Sequence, residues 1–231
     1  FRKTLETRSR ARTLSGPPPT LLPALAAAAA RGPWYRHRIG THVDLARDWE
    51  SLPTASRRDI AAEPWLFVPD DAPLDRLVIF RTAGTTGHPI EVPHHPRAVA
   101  CYQPLIEAAL AAYGVPFEAA APGRAACFLV SAQIKTYTYA TVLSAWNGAG
   151  FAKINLRASE WPSPASTAKY LEAFAPSIVT GEPVAFAEIL RREIPMHPAA
   201  LISTSLALSP ALRARLAAAY GCPVSDWYST V

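Results

Sequence analysis

The pattern of apolar and polar residues becomes regular from about residue 76 onward. Short apolar runs there alternate with segments whose apolar residues recur at helical spacing. Runs of this length are typical of buried parallel strands, so the alternation predicts an α/β fold with a doubly wound, mostly parallel sheet flanked by helices. The predicted strands are 77–81, 125–130, 151–155, 177–180 and 200–203.

Helix start and stop signals lie between these strands. Ser209 before Pro210 and Gly221 after Tyr220 are typical first-turn and terminating residues, and they predict a helix over 210–220. The other predicted helices are 96–113, 137–146, a segment that starts at Pro164, and 184–192.

The first 75 residues lack this regularity. They predict an irregular and helical N-terminal segment with two short helices, one over 42–50 and one opened by a capping box of Ser56 and Asp59. We therefore expect two parts, residues 1–75 and an α/β part over 76–231.

Composition excludes several classes of protein. A chain of 231 residues with 50% hydrophobic content can bury a core, and its longest apolar run, 21–30, is too short for a membrane span and contains Pro23. No export signal is recognisable, so a cytoplasmic location and no membrane partner are expected. The 3 widely spaced cysteines predict neither a disulfide framework nor a metal site.

The positive charge is concentrated at the N-terminus. Residues 1–60 contain 11 basic and 5 acidic side chains of the 23 and 18 in the chain. An arm that binds nucleic acid would explain this, but no interleaved aromatics or DNA-binding motif accompany the arginines. A solvated surface is favoured, and no nucleic-acid partner is expected.

A segment rich in small polar residues, TAGTTGHP over 82–89, follows the first predicted strand. Glycines allow a ligand to approach the backbone, and successive N–H groups with nearby hydroxyls form an anion-binding concavity. This favours a polyphosphate ligand, although the segment matches neither the Walker A nor the GxGxxG pattern. The alternative is an ordinary glycine/threonine turn that leads into a short strand over 90–92.

Four segments together resemble the adenylate-forming superfamily of acyl-CoA ligases. AGTTGHP resembles its phosphate-binding loop, and YGCPVSDWYSTV over 220–231 resembles its adenine-binding segment. LPTASRRDI over 52–60 and FAPSIVTGEPVAFAEIL over 174–190 resemble the phenylacetate-coenzyme A ligase branch. Because these segments occur in the family's order, residues 76–231 are interpreted as an incomplete, nucleotide-binding part of a large adenylation domain.

The resemblance implies a reaction and a set of binding residues. In this family ATP and a carboxylic acid give an acyl-adenylate and pyrophosphate, after which a thiol or an amine takes the acyl group. The family uses ATP and Mg²⁺, with coenzyme A, a carrier protein or an amine as acceptor. The implied nucleotide-binding residues are Thr82, Gly84, Thr85, Thr86, Gly87 and His88 at the phosphates, and Trp227, Tyr228, Ser229 and Thr230 at the adenine and α-phosphate.

The sequence departs from the family pattern at three places. The glutamate that binds Mg²⁺ and the late catalytic lysine would lie beyond Val231, so the catalytic residues are unknown and the 231-residue chain alone is expected to be inactive. An acid of the family is replaced in the segment that contains Thr204 and Ser205, and its loss is expected either to weaken the contact with the nucleotide or to shift it to their hydroxyls. His88 stands where the branch more often has lysine, and its protonation is not determined by the sequence.

The resemblance also implies an acid-binding pocket formed by Tyr137, Thr138, Thr180 and Pro183. The aromatic residues Tyr137 and Trp146 lie at helical spacing with Val142, and such a stripe more often packs in a core than lines a pocket.

We therefore expect ATP-dependent, AMP-forming activation of a carboxylic acid, an aryl acid among the candidates. The alternative is a non-catalytic nucleotide-binding module that keeps the fold without ligase activity. The sequence leaves the acid, the acceptor and a homodimer open.

Overall fold

The computed structural model describes residues 20–39, 52–82, 89–117, 124–134, 136 and 138–227. Contacts divide the chain into two compact units, one of Phe1–Leu105 with Val231 and one of Ile106–Thr230. The domain boundary predicted at residue 75 stays a prediction, and the helix predicted over 42–50 lies outside the described residues.

The first unit is more helical than its sequence pattern indicates. The apolar run 21–30, outside the two helices predicted for this segment, forms helix α1 because it is rich in alanine, the residue of highest helix propensity. The predicted capping box of Ser56 and Asp59 is confirmed at the start of α3. Trp34 is buried and stacks on Phe67, with 5.1 Å between the ring centroids. The described helices are α1 (Leu22–Arg31), α2 (Pro33–Ile39), α3 (Arg57–Ala62) and α4 (Pro96–Ala100).

The first predicted strand exists, but it lies outside the main sheet. Strand β1 (Val78–Arg81) pairs antiparallel with β2 (Glu91–His94) in a two-stranded sheet, and all four residues of β1 are exposed. The prediction of a buried parallel strand is therefore wrong here. The apolar run specifies an extended backbone, whereas the choice of partner is decided by which strand is available to pair with it.

The second unit contains a six-stranded sheet with the order β4-β5-β3-β6-β7-β8. Strand β4 is antiparallel to β5, and the other neighbouring strands are parallel. The predicted α/β fold with a mostly parallel sheet is confirmed. The strands are β3 (Ala125–Ser131), β4 (Tyr139–Leu143), β5 (Ala149–Asn155), β6 (Ile178–Gly181), β7 (Ala200–Ser203) and β8 (Val224–Asp226).

The helix predicted over 137–146 is wrong. Strand β4 and a short 3-10 turn (Ser144–Trp146) occupy this stretch. Its threonine, tyrosine and valine residues favour an extended backbone, and β5 offers an edge with which β4 pairs. No apolar stripe results, because Trp146 is 2% exposed whereas Val142 is 70% exposed.

The helices of the parallel part largely follow the predicted signals. The segment predicted as one helix over 96–113 forms two helices, α4 and α5 (Tyr102–Ala112). Pro104 has no N–H to donate, and in a continuous helix its ring would clash with the carbonyl of the residue four positions earlier. Ser209 caps the last helix by accepting a hydrogen bond from Leu212 N–H at 3.2 Å, and Gly221 ends it with φ 62°. The helices are α5 (Tyr102–Ala112), α6 (Pro164–Phe174), α7 (Pro183–Arg191) and α8 (Pro210–Tyr220).

Apolar clusters cover both faces of the six-stranded sheet. On one face, residues of β3, β5, β6 and β7 pack against Leu171 of α6, Phe186 of α7 and Leu216 of α8. On the other face, Cys127 and Ile178 pack with Leu110 of α5 and Trp146. Within the described ranges, no helix is long and apolar enough to cross a membrane.

Candidate functional site

The carboxyl ends of the parallel strands meet at one edge of the six-stranded sheet. The chain leaves β3 towards β5 on one side and leaves β6 towards β7 on the other. In open α/β sheets such a reversal creates a crevice beyond the carboxyl ends of the two strands, between the loops that leave them, and ligands bind there. The crevice beyond the ends of β3 and β6 is therefore the candidate site. The strand-end residues along this edge are Ser131, Asn155, Gly181, Ser203 and Asp226.

Gly181 at the end of β6 lies against the backbone of β3. A Cβ at this position would lie 2.5 Å from Val130 Cγ2 and 2.7 Å from the Val130 carbonyl oxygen. A side chain would therefore push the two strands apart. Glycine is required here by the close approach of the strands rather than by its conformational freedom, since its φ is not in the left-handed region.

Glu182 joins the loops on the two sides of the crevice. Its carboxylate accepts a hydrogen bond from the backbone N–H of Ala132 at 3.3 Å and one from Nε2 of Gln133 at 3.0 Å. Glu182 is also the N-cap residue of α7, but its side chain makes no capping hydrogen bond to that helix. Hydrogen bonds to a carboxylate are among the stronger ones, so this contact fixes the loop after β3 relative to the start of α7.

The residues predicted for the acid pocket lie on two sides of β3. Thr138 is exposed beside β4, and its hydroxyl accepts a hydrogen bond from Asn155 N–H at 3.3 Å. Thr180 is buried near the end of β6, and Pro183 begins α7. Thr138 is thus associated with the end of β5 and the other two with β6, while β3 runs between them. Tyr137 lies outside the described residues.

Three residues predicted to bind nucleotide lie at the ends of β7 and β8. Thr204 donates its backbone N–H to the Gly181 carbonyl at 2.9 Å, and Trp227 donates its backbone N–H to the Ser203 carbonyl at 2.7 Å. Ser205 is exposed and has a left-handed backbone with φ 72°. These contacts hold the end of β7 from both neighbouring strands. Trp227 is half-buried and packs against the apolar cluster that contains Ile178. The other predicted residues of this segment, Tyr228, Ser229 and Thr230, lie outside the described residues.

Of the predicted phosphate-binding segment, the structure describes Thr82 in the first unit. Its N–H donates to the Ile90 carbonyl at 3.0 Å, and its hydroxyl accepts from Ile90 N–H at 3.0 Å. Arg57 Nη2 also donates to the Thr82 hydroxyl at 3.4 Å. These hydrogen bonds connect Thr82, which follows β1, with Ile90, which precedes β2. Gly84, Thr85, Thr86, Gly87 and His88 lie outside the described residues.

A half-buried lysine lies close to the carboxyl edge. Lys153 on β5 is paired with Leu129 on β3 and with Tyr139 on β4. Partial burial lowers the pKa of the Lys153 ammonium, and the negative charge of Glu182 acts in the opposite direction. The charged form of Lys153 is therefore less favourable than in water, and an additional anion nearby would stabilise it.

Two buried hydroxyls at this edge are unsatisfied. Ser131 Oγ and Ser203 Oγ have no hydrogen-bond partner in the structure as described. Ser131 is the last residue of β3 and Ser203 the last residue of β7. Across the described ranges, no group of three or more histidine, cysteine, aspartate or glutamate side chains is placed to hold a metal ion.

Sequence reasoning missed four of the residues that form this edge. These are polar residues that lie in or beside apolar strands: Glu182, Gln133, Asn155 and Lys153. A polar residue at such a position was the sequence feature that could have identified them as site residues. Asn155 is completely buried, and its Nδ2 donates to the Gln133 carbonyl at 3.0 Å. Its Oδ1 accepts a hydrogen bond from Arg157 N–H at 3.2 Å, so the side chain orders the turn after β5.

Comparison with solved structures finds the same fold in a 2-hydroxyisobutyryl-CoA ligase. The structure of that ligase in complex with 2-HIB-AMP and CoA in the thioesterification state matches with a TM-score of 0.59 and 18% identity, covering 92% of this chain and 48% of that chain. An open conformation of the ligase, also in complex with 2-HIB-AMP and CoA, matches with a TM-score of 0.58 and 18% identity over 92% and 49%. This chain spans about half the length of the structures it matches.

No family model and no curated protein matches the sequence. These two matches confirm the fold that the resemblance implies, and membership of the superfamily stays a prediction. The assignment to the phenylacetate-coenzyme A ligase branch stays a prediction.

Proposed function

We propose that this chain is the nucleotide-binding part of an AMP-forming ligase that activates a carboxylic acid with ATP and passes the acyl group to coenzyme A. The observation that carries the proposal is the fold, which the chain shares over 92% of its length with an acyl-CoA ligase solved with an acyl-adenylate and CoA. The reversal of strand order at β3 and β6 supports the same conclusion, because ligands bind at such points in open α/β sheets.

The proposed reaction has two steps. A carboxylate oxygen of the acid attacks the α-phosphorus of ATP, and the bond from that phosphorus to the bridging oxygen breaks to release pyrophosphate. The thiolate sulfur of coenzyme A then attacks the acyl carbon, and AMP leaves with the oxygen that joined it to the acyl group. Mg²⁺ enters this scheme with ATP, as the MgATP substrate.

Within this scheme the chain binds and orients the reactants. The segment that contains Thr82, Gly84, Thr85, Thr86, Gly87 and His88 is assigned to the β- and γ-phosphates, where donors disperse the charge that develops on departing pyrophosphate. Thr204 and Ser205 are assigned to the nucleotide, as are Trp227, Tyr228, Ser229 and Thr230. Tyr137, Thr138, Thr180 and Pro183 are assigned to the acid.

A non-catalytic nucleotide-binding module is the second candidate. It is favoured by one observation, the presence of hydroxyl side chains at Thr204 and Ser205 where an acid would grip the nucleotide. The two hydroxyl oxygens are 3.5 Å apart. A neutral hydroxyl binds a nucleotide donor more weakly than a carboxylate does, which is compatible with binding but less so with fast turnover.

ATP–pyrophosphate exchange separates these two candidates. We expect the protein that contains this chain to incorporate labelled pyrophosphate into ATP only when a suitable carboxylic acid is present. Acids to test include aryl, hydroxy and dicarboxylic acids, with the corresponding primary amides as controls because they cannot form an adenylate. ATP binding without exchange for any acid would favour the module, and the absence of ATP binding would contradict both candidates.

A further inference from the structure

Four residues form a row across four neighbouring strands near the carboxyl edge. Tyr139 of β4 pairs with Lys153 of β5, Lys153 pairs with Leu129 of β3, and Leu129 pairs with Thr180 of β6. Residues that are paired directly across neighbouring strands project to the same face of a sheet. This Tyr139–Thr180 row therefore presents an aromatic ring, an ammonium group, an apolar side chain and a hydroxyl side by side.

On β3 and β5 the row lies at the margin of the apolar cluster that covers this face, whereas on β6 Thr180 is still buried. Two residues earlier along the strands, Cys127 and Ile178 are completely buried in the cluster that contains Trp146. In the row itself Thr180 is 8% exposed, Lys153 and Leu129 are half-buried, and Tyr139 is 42% exposed. Accessibility thus increases along the row from Thr180 of β6 to Tyr139 of β4.

A lysine is an unusual residue for this place in a sheet. Lysine is almost never fully buried unless it is paired, because removing an ammonium from water costs free energy. Glu182 attracts Lys153 electrostatically, and its two carboxylate oxygens also accept hydrogen bonds from Ala132 N–H and Gln133 Nε2. With three N–H donors, the Lys153 ammonium has the capacity to bind an incoming anion in addition to its contacts within the protein.

The strand order indicates which part of an acid would reach Lys153. Strand β5 is separated from β7 by β3 and β6, a distance of about 14 Å at the usual spacing of neighbouring strands. The reacting carboxylate must contact the α-phosphate, and the residues assigned to the nucleotide, Thr204 and Trp227, follow β7 and β8. Lys153 is therefore on the side of the acid remote from the reacting carboxylate.

We propose that Lys153 is a specificity-determining residue that binds an anionic group at the far end of the acid, so that the preferred substrates are dicarboxylic acids. Thr180 and Leu129 then contact the middle of the molecule, and Tyr139 borders the anionic end. This inference rests on the proposed function, because it assigns a substrate class to the acid-binding part of the same site.

Binding of matched acids to the 231-residue chain in the presence of AMP tests the inference. Isothermal titration would compare hexanoate with adipate and benzoate with terephthalate. We expect at least one dicarboxylate to bind about tenfold more tightly than its monocarboxylate partner, as a charge-assisted hydrogen bond allows. Lys153→Met should reduce this preference to less than about twofold, whereas Lys153→Arg should retain it.

Lys169→Met is the matched control, since Lys169 is exposed on α6. It should leave the preference unchanged, and near-ultraviolet circular dichroism should show that both methionine variants are folded. The inference is overturned if no dicarboxylate is preferred, or if the preference survives in Lys153→Met. MgATP binding to the same chain is measured in parallel. If the chain binds MgATP but shows no dicarboxylate preference, this inference alone is contradicted. If the chain binds no MgATP, the proposed function is contradicted as well.

Discussion

Gly181 and Val130 approach each other more closely than any side chain at position 181 would allow. We predict that Gly181→Ala destabilises the protein by about 1–3 kcal/mol, because the new Cβ would lie 2.5 Å from Val130 Cγ2 and 2.7 Å from the Val130 carbonyl oxygen. Urea denaturation followed by tryptophan fluorescence measures the free energy of unfolding.

Gly32→Ala is the control for this substitution. A Cβ at position 32 would meet its nearest atom at 3.8 Å, an ordinary contact. Adding Val130→Ala to Gly181→Ala should recover only part of the loss, since the clash with the carbonyl oxygen remains. Equal stability of Gly181→Ala and the original protein would show that β3 and β6 are not held as closely as described.

Capping is the decisive local interaction at the start of helix α8. The Ser209 hydroxyl accepts a hydrogen bond from Leu212 N–H, whereas Ser163 at the N-cap of α6 makes no capping hydrogen bond. We predict that Ser209→Ala lowers the free energy of unfolding by about 1 kcal/mol, the usual value for a lost N-cap. Ser163→Ala should cost clearly less in the same denaturation experiment, and an equal cost would contradict the assignment of the cap.

Helix α7 carries an ion pair that should make stability depend on pH. Hydrogen bonds from Arg191 and then Arg192 lower the pKa of Glu188 from 4.5 to about 2. Because the pKa is depressed in the folded state, the stabilisation is present above pH 4.5 and is lost as the pH falls towards 2. The Glu188 side chain is 22% exposed, so after solvent screening we expect about 1–2 kcal/mol.

Glu188→Gln tests this expectation. The variant should be less stable than the original protein at pH 6 and should approach it at pH 3, as measured by urea denaturation at a series of pH values. Glu172→Gln, at an exposed position on α6, is the matched control and should leave the pH dependence unchanged. A Glu188→Gln variant with the original pH profile would argue against the ion pair.

At the scale of the whole molecule, ligand binding and folding are linked. If the chain binds MgATP in its folded state, we predict that the melting temperature rises with the logarithm of the MgATP concentration. At 100 times the dissociation constant the free energy of unfolding should increase by about 2.7 kcal/mol. Gly84→Val should abolish this increase while leaving the melting temperature without ligand unchanged, because a β-branched side chain would occupy the space that phosphate must approach. An undiminished shift in the variant would contradict the assignment of the loop.

The sequence by itself determined the features that depend on neighbouring residues. Ser209 and Gly221 specified the two ends of α8, Ser56 and Asp59 specified the capping box of α3, and the alternation of apolar runs with helices specified an α/β fold. These features are local, since caps, turns and strand-forming runs depend on backbone conformation within a few residues.

Only the tertiary structure decided which strands pair and which side chains meet. The segment 137–146 has apolar residues at helical spacing, yet Tyr139–Leu143 forms a strand that pairs with β5. The apolar run of β1 pairs with β2 instead of joining the parallel sheet. Glu182 reaches Gln133, 49 positions away, and Lys153 joins Thr180 in one row, because sheet register brings distant residues together. The physical reason is that pairing depends on competition among all available partners, which no local stretch of sequence encodes.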